Sequence, residues 1–320
     1  MLTKELTYKK AFEIKNNALK QKNARRDMLL SAAYATNPRL SEIDRELSSI
    51  GAQLAVTALS GNSEKVAILK AKSVAVSKEK SAILKKEMVP EIEYDCTLCK
   101  DSGYVGGKIC DCVKKLAAQV ILDDLKKQMP LEDCTFEGFN LNYYSKDGEN
   151  PRKRMTYILK LCKEYVDAFT PENAQNLLFM GSPGLGKTHL TLAIVSGVVE
   201  KGYMPFYGPA ETLFTLVSSE RFSGENKGSY NAMLECDLLV IDDLGTEYVN
   251  EFSRSVLYNL INSRLLSKKP TIINTNLTMK EIADRYGERI VSRLIGGYNA
   301  NKFIGNDVRQ QKSLEENRGI

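Results

Sequence analysis

Tryptophan is absent from this 320-residue chain, and histidine occurs once, at His189. A lone imidazole excludes any mechanism that needs two histidines. Long apolar runs are missing too: none approaches the ~20 residues needed to cross a bilayer. The polar start, Met1 to Lys10, has no apolar signal core. The expectation is therefore no membrane association and a cytoplasmic protein. Neither charge sign dominates: a net charge of +5 with 27% charged residues permits contact with nucleic acid, and an ordinary solvated basic surface accounts for it equally well. Cysteine is plentiful by contrast. The odd count of 7, with Cys96, Cys99, Cys110 and Cys112 crowded together, fits a reducing compartment with a metal site better than a disulfide framework.

At 43% hydrophobic, the chain is long enough for one full α/β core and a smaller module. Composition divides it into a helical N-terminal partner-binding region (1–90), a cysteine-rich module (91–115), a linker (116–170) and a nucleotide core (171–320). The first segment nearly lacks glycine and proline and is rich in Ala, Leu, Lys and Glu, which reads as helix. Breaks at Asn37-Pro38 and Gly61-Asn62-Ser63 predict three helices, with Asn37 and Ser63 as caps. In the second, Leu40, Ile43, Leu47, Ile50 and Leu54 share one stripe. An antiparallel neighbour could cover that stripe, and so could a groove on another protein.

From Asn176 onward, apolar runs alternate with helical patterns: Leu177 to Met180, Met204 to Tyr207, Leu238 to Ile241, Thr271 to Ile273 and Lys302 to Ile304. Strands separated by helices predict a parallel five-stranded α/β sheet with flanking helices. Pro205 cannot donate a ladder hydrogen bond, which places its strand at an edge.

Gly181-Ser182-Pro183-Gly184-Leu185-Gly186-Lys187-Thr188 follows an apolar strand and opens a helix, the setting a phosphate-binding loop requires. Its glycines let backbone N–H groups face phosphate oxygens and the helix N-terminus adds positive potential. Lys187 is placed to bridge the β- and γ-phosphates of ATP and Thr188 to ligate Mg²⁺. That chemistry gives the adjoining His189 only a packing or hydrogen-bonding part at the nucleotide. Leu238 to Asp243 is a buried strand ending in two carboxylates. Asp242 is read as holding magnesium and Asp243 as orienting or deprotonating the attacking water. Asn276, at the polar end of Thr271 to Asn276, is read as reaching the γ-phosphate and the water.

Arg289 and Arg293 share one face of a helix whose Ile290, Val291 and Leu294 point inward. Paired exposed arginines suit an anionic partner, including the γ-phosphate held by a neighbouring subunit. Cys96-x-x-Cys99 and Cys110-x-Cys112 enclose a glycine-containing loop and can supply the four sulfurs that zinc accepts, although the second spacing is tighter than the usual knuckle. Four buried thiols or a redox-sensitive cluster is the other reading. Cys134, Cys162 and Cys236 look like small core residues. A polar loop, Arg221 to Tyr230, with Phe222 and Lys227, offers basic and aromatic groups that could stack on single-stranded DNA.

Together these motifs resemble the AAA+ ATPases of the DnaC/DnaI helicase-loader group, relatives of the IstB-type transposition helpers. The resemblance spans roughly Thr135 to Lys312 and rests on Phe136 to Asn140 with Tyr143-Tyr144, Gly181 to Leu190, Asp237 to Glu247, Thr275 to Leu277, Tyr286 to Leu294 and Gly305 to Arg309. It implies that Asn276 is the first sensor, Arg293 an arginine finger given to a neighbour with Arg289 as a second candidate, and Arg309 a second sensor of nucleotide state. It implies a core without a large lid, self-association into an AAA+ oligomer, and loading of the hexameric replicative DNA helicase onto single-stranded DNA. An N-terminal helical region followed by cysteines is similar to the helicase-binding end of DnaI-type loaders, whereas IstB-type helpers usually lack the cysteines. Asp243 departs from the Glu of many AAA+ ATPases, and its shorter arm implies slow ATP hydrolysis. An IstB-like transposition helper, or a zinc adaptor that binds ATP without hydrolysing it, is the alternative. A small-molecule kinase would need an acceptor pocket and a lid, and the sequence offers neither.

Overall fold

A computed structural model describes residues 4–128, 133–223 and 228–318. The chain forms two compact units, one from Phe12 to Cys112 and one from the start of the chain through Ala11 together with Val113 onward.

The smaller unit contains most of helix α1 (Lys4–Thr36), then α2 (Arg39–Leu59), α3 (Ser63–Lys86) and the two-stranded hairpin β1 (Tyr104–Val105) and β2 (Lys108–Ile109). The three helices lie where composition places them, but their caps differ. Asn37 remains tied to the end of α1, its N–H donating to Ala33 O at 2.9 Å, so it does not cap α2. Asn62 rather than Ser63 caps α3, because its side chain reaches the N–H of Lys65 at 3.0 Å.

The α2 stripe is covered within the chain: Ile43, Leu47, Ile50 and Leu54 pack against Leu69, Val76 and Ile83 of α3. Leu40 joins Ala33 and Val89 in an adjoining cluster. Burying such side chains stabilises the hairpin by roughly 1.5–3 kcal/mol each. The exposed ion pairs that cross it, Arg39 with Glu79 at 2.8 Å and Lys80 with Asp44 at 2.5 Å, add about 0–1 kcal/mol apiece. The cysteine segment belongs to this same unit. Phe12 of α1 stacks on Tyr104 with ring centroids 5.0 Å apart, and the nearly buried Lys15 pairs with Asp101 at 2.8 Å.

The larger unit carries α4 (Asp111–Gln128), α5 (Pro151–Asp167), β3 (Leu177–Met180), α6 (Lys187–Glu200), β4 (Pro205–Pro209), α7 (Ala210–Ser223), α8 (Ser229–Glu235), β5 (Leu238–Leu244), α9 (Glu251–Leu266), β6 (Thr271–Thr275), α10 (Met279–Tyr286), α11 (Glu288–Gly297), β7 (Asn299–Lys302) and α12 (Val308–Arg318). The five long-range strands form one parallel sheet in the order β4-β5-β6-β3-β7. The central strands β3, β5 and β6 are apolar over most of their length because helices cover both faces of the sheet. Pro205 does sit on an edge strand. The other edge lies earlier than Lys302 to Ile304: β7 is the polar run Asn299–Lys302, which pairs through its backbone with Leu177 to Met180.

Within the segment 116–170, expected as a linker, helix α5 packs with this unit instead. Helix α5 buries Met155, Ile158, Cys162 and Val166, and Val166 lies so near α6 that a Cβ on Gly197 would come within 2.6 Å of it. Arg221 and Phe222 end α7 and Tyr230 lies in α8, so these three are helical rather than parts of a loop. The Arg221 guanidinium lies 5.3 Å over the ring of Phe252. Lys227 falls outside the described residues. Among the described residues, no helix is long and apolar enough to cross a membrane.

Candidate functional site

The phosphate-binding loop joins β3 to α6 and needs backbone shapes that only glycine adopts readily. Gly184 has φ +75°, and a Cβ there would come within 2.0 Å of Asp307 Oδ1. Gly186, at φ +85°, would drive a Cβ to 2.6 Å from the Phe139 ring. Two other segments therefore close on the loop. The Tyr144 hydroxyl donates to Leu185 O at 3.0 Å, and the Val308 N–H donates to Gly184 O at 3.0 Å.

A cavity of about 580 Å³ opens over this loop, lined by Pro183 to His189, Phe139, Tyr144, Tyr207, Asp243, Asn276 and Arg309 among others. Lys187 is only 5% exposed, and its ammonium donates to Gly181 O at 2.7 Å, Ser182 O at 2.9 Å and Asn276 Oδ1 at 2.6 Å. Burial lowers its pKa, against the pull of Asp243 and Asp242. His189 points its Nε2 at Thr135 O, 2.7 Å away, and meets the edge of Phe139.

The carboxylates sit at a β-bulge. Ile241 pairs with Ile273 and Leu244 with Thr275, so β5 carries one more residue than β6 over this stretch. Asp243 takes φ +52°, in the left-handed region, which sends its side chain to the cavity while Asp242 stays behind the loop at 3% exposure. Asp242 Oδ1 accepts from Asn274 Nδ2 at 2.6 Å, from the Asp243 N–H at 3.0 Å and from the Thr188 hydroxyl at 3.3 Å. Its Oδ2 accepts from the buried Tyr207 hydroxyl. Burial, and then the neighbouring Asp242 charge, raise the pKa of Asp243 above the ordinary carboxylate range. The set fits a divalent cation: a hydroxyl and an anionic carboxylate meet beside a lysine-lined phosphate loop.

Arg289 and Arg293 are exposed on α11 and do not line this cavity, whereas Asn276 and Arg309 do. The turn after Asp243 is nonetheless tied to the helix preceding α11. Arg285 donates to Gly245 O at 2.5 Å, and the Tyr286 hydroxyl bonds Glu247, whose other oxygen accepts the Gly245 N–H at 2.8 Å.

In the smaller unit the sulfurs of Cys96, Cys99, Cys110 and Cys112 all lie within 4.8 Å of one another, with Cys96 to Cys110 at 3.8 Å and Cys99 to Cys112 at 3.5 Å. Tetrahedral thiolates around zinc stand about 3.8 Å apart at Zn–S distances near ~2.3 Å, so the cluster fits that ion. The N–H groups that Cys99 and its neighbours direct at Cys96 lower its thiol pKa to about 7. Asp101 accepts from the N–H groups of Asp95 at 2.9 Å and Cys96 at 3.0 Å, which fixes the first knuckle.

Sequence reasoning missed several groups here. Cys134 is a half-buried wall of the nucleotide cavity rather than a core residue, unlike Cys162 and Cys236. Tyr207 and Asn274 converge on Asp242 from neighbouring strands, and nothing in the local sequence signals that convergence.

Among curated proteins, the "Replicative helicase loader DnaC" of Escherichia coli (strain K12) is 27% identical over 165 residues, 51% of this chain and 63% of that protein. This chain thus spans less than two thirds of that relative's length. The "Phage-like element PBSX protein XkdC" of Bacillus subtilis (strain 168) is 25% identical over 218 residues, 63% of this chain and 78% of that protein. A crystal structure of the DnaC helicase loader matches at 26% identity and TM-score 0.46, covering 53% of this chain and 98% of that one. The IstB-like ATP binding protein family matches residues 116–311, well over half of the sequence, and the chain belongs to that family.

Proposed function

We propose that this chain is an ATP-controlled switch of DNA replication that loads the hexameric replicative DNA helicase onto single-stranded DNA, hydrolysing ATP slowly. The observation that carries the reading is the division of charge. Lys187, Asp242, Asp243, Asn276 and Arg309 gather at the carboxyl ends of the central strands, while Arg289 and Arg293 lie exposed outside the cavity. A site furnished in this way can hold a nucleotide with its own Arg309, and its arginine finger would come from a second copy. The likeness to a curated helicase loader over half of the chain supports the partner.

In this mechanism the loop N–H groups and Lys187 bind the β- and γ-phosphates. Thr188 and Asp242 would hold the metal, and Mg²⁺ when bound would neutralise charge on the phosphate oxygens. Asp243 orients the attacking water and accepts its proton, and Asn276 fixes the water against the γ-phosphate. Arg293, with Arg289 beside it, stabilises charge developing at a neighbour's nucleotide, and Arg309 reports the nucleotide state to α12. Turnover is slow because the short Asp243 arm holds the water less closely than a glutamate would. The four cysteines hold zinc and shape the smaller unit, which serves the helicase. Since α2 is covered by α3, docking uses another face of that unit rather than the α2 stripe.

The family match also favours a second reading, an IstB-like transposition helper. Co-purification separates the two. The full chain should retain a purified hexameric replicative helicase in an ATP-dependent manner, and single-stranded DNA should raise its ATPase rate. Retention of a transposase with no affinity for the helicase would favour the second reading.

A further inference from the structure

Asp242 is held at both of its oxygens, and the two ends are held differently. On Oδ1 three donors converge: Asn274 Nδ2 at 2.6 Å, the Asp243 N–H at 3.0 Å and the Thr188 hydroxyl at 3.3 Å. A carboxylate oxygen offers two good lone-pair directions, so Oδ1 is oversubscribed and Thr188, the most distant, is the donor free to turn to a cation. On Oδ2 the donor is the Tyr207 phenol. Tyr207 stands on edge strand β4, where Pro209 is the register partner of Asp242, so the ring reaches two residues along the strand to make this bond.

The amide of Asn274 has its orientation fixed in turn, since its own oxygen accepts from the Thr191 hydroxyl at 3.0 Å. Tyr207 is 4% exposed. A buried hydroxyl without a partner is unfavourable, and phenylalanine would fill the same space, so packing alone does not account for the phenol. What the hydroxyl adds is a second fixed point on the carboxylate, which stops it from turning its Oδ1 edge away from Thr188.

We propose that Tyr207 is a positioning residue of the metal site, holding Asp242 so that the nucleotide is bound together with its divalent cation. The proposal rests on the nucleotide-site reading above. Outer donors that orient a metal-binding carboxylate typically change metal affinity 10- to 100-fold when removed.

The test is titration of the full chain with a fluorescent ADP analogue, first in EDTA and then across a Mg²⁺ series, for the wild type and Tyr207→Phe. Circular dichroism and thermal melting of the same samples report folding. The expected result, each protein being referred to its own affinity in EDTA, is a Mg²⁺ midpoint raised by roughly 10-fold or more in the variant. Thr191→Val, which releases the Asn274 amide, should move the midpoint the same way by a smaller factor. A Tyr207→Phe protein with a lowered melting temperature and an unmoved Mg²⁺ midpoint would show a packing role and overturn the proposal. A wild type that binds no analogue in either buffer would overturn the nucleotide reading itself, and the proposal with it.

Discussion

Replacing Lys187 with alanine should weaken binding of ATP and Mg²⁺ by roughly 10- to 100-fold, and the magnitude follows from what the ammonium does in each state. Bound to phosphate, it makes a charge-assisted contact worth about 1.5–3 kcal/mol, which at about 1.4 kcal/mol per factor of ten gives that range. Within the protein it also spans the loop, donating to Gly181 O, Ser182 O and Asn276 Oδ1 at 2.6 to 2.9 Å. Alanine removes these three bonds as well. Asn276 lines the open cavity and Ser182 is exposed, so water can replace the ammonium and the fold should lose only about 1 kcal/mol, a shift of roughly 2–4 °C in melting temperature. Equilibrium titration with a fluorescent ATP analogue, run beside a thermal melt, measures both quantities. A folded Lys187→Ala protein with near-native affinity would refute the assignment of the loop.

Arg293→Ala should leave nucleotide affinity within about twofold and reduce hydrolysis roughly 10³-fold, because a finger acts on charge that develops in the transition state. Mixing it with Asp243→Asn subunits should restore part of the activity, and a dilute monomer that hydrolyses ATP at the full rate would contradict the trans role. Purified protein should carry about one zinc per chain by elemental analysis, and Cys96→Ser with Cys99→Ser should release it and expose the smaller unit to protease while nucleotide binding persists. Metal-free protein with a protease-resistant N-terminal half would remove that role. Leu47→Asp with Leu54→Asp should unfold the helical hairpin, since each change forfeits part of the about 1.5–3 kcal/mol that full burial of a leucine supplies and places a charge against α3. Far-ultraviolet circular dichroism should report the lost helix, and intact helicity would show that the stripe is not packed in solution.

The phosphate loop and the Asp242-Asp243 pair were legible because their chemistry depends on contiguous residues, and a glycine pattern between strand and helix has few other uses. Pro205 placed its strand by a local rule, the missing N–H. Strand β7 was misplaced because Asn299-Ala300-Asn301 carries no apolar signal; its pairing with β3 is made by backbone groups that composition does not register. Tyr207 and Asn274 escaped notice for another reason. Their partner lies on β5, and only strand order brings the three together. The stripe on α2 was legible as a stripe, but its cover was a matter of tertiary packing. The 116–170 segment read as a linker because its turn-rich loops hide how firmly α5 is buried.

Two of the five residues of β4, Pro205 and Pro209, have no N–H to offer a further strand, and the opposite edge presents the exposed polar side chains of Asn299 and Lys302. Both borders of the sheet thus resist extension. Copies of this chain that gather at high local concentration are steered away from end-to-end ribbon growth, which has no natural stopping point. In the proposed oligomer, contact between copies would fall to helical and loop surfaces such as the arginine face of α11. Head-to-tail contacts of that kind would close into a finite ring where the rotation between copies permits it.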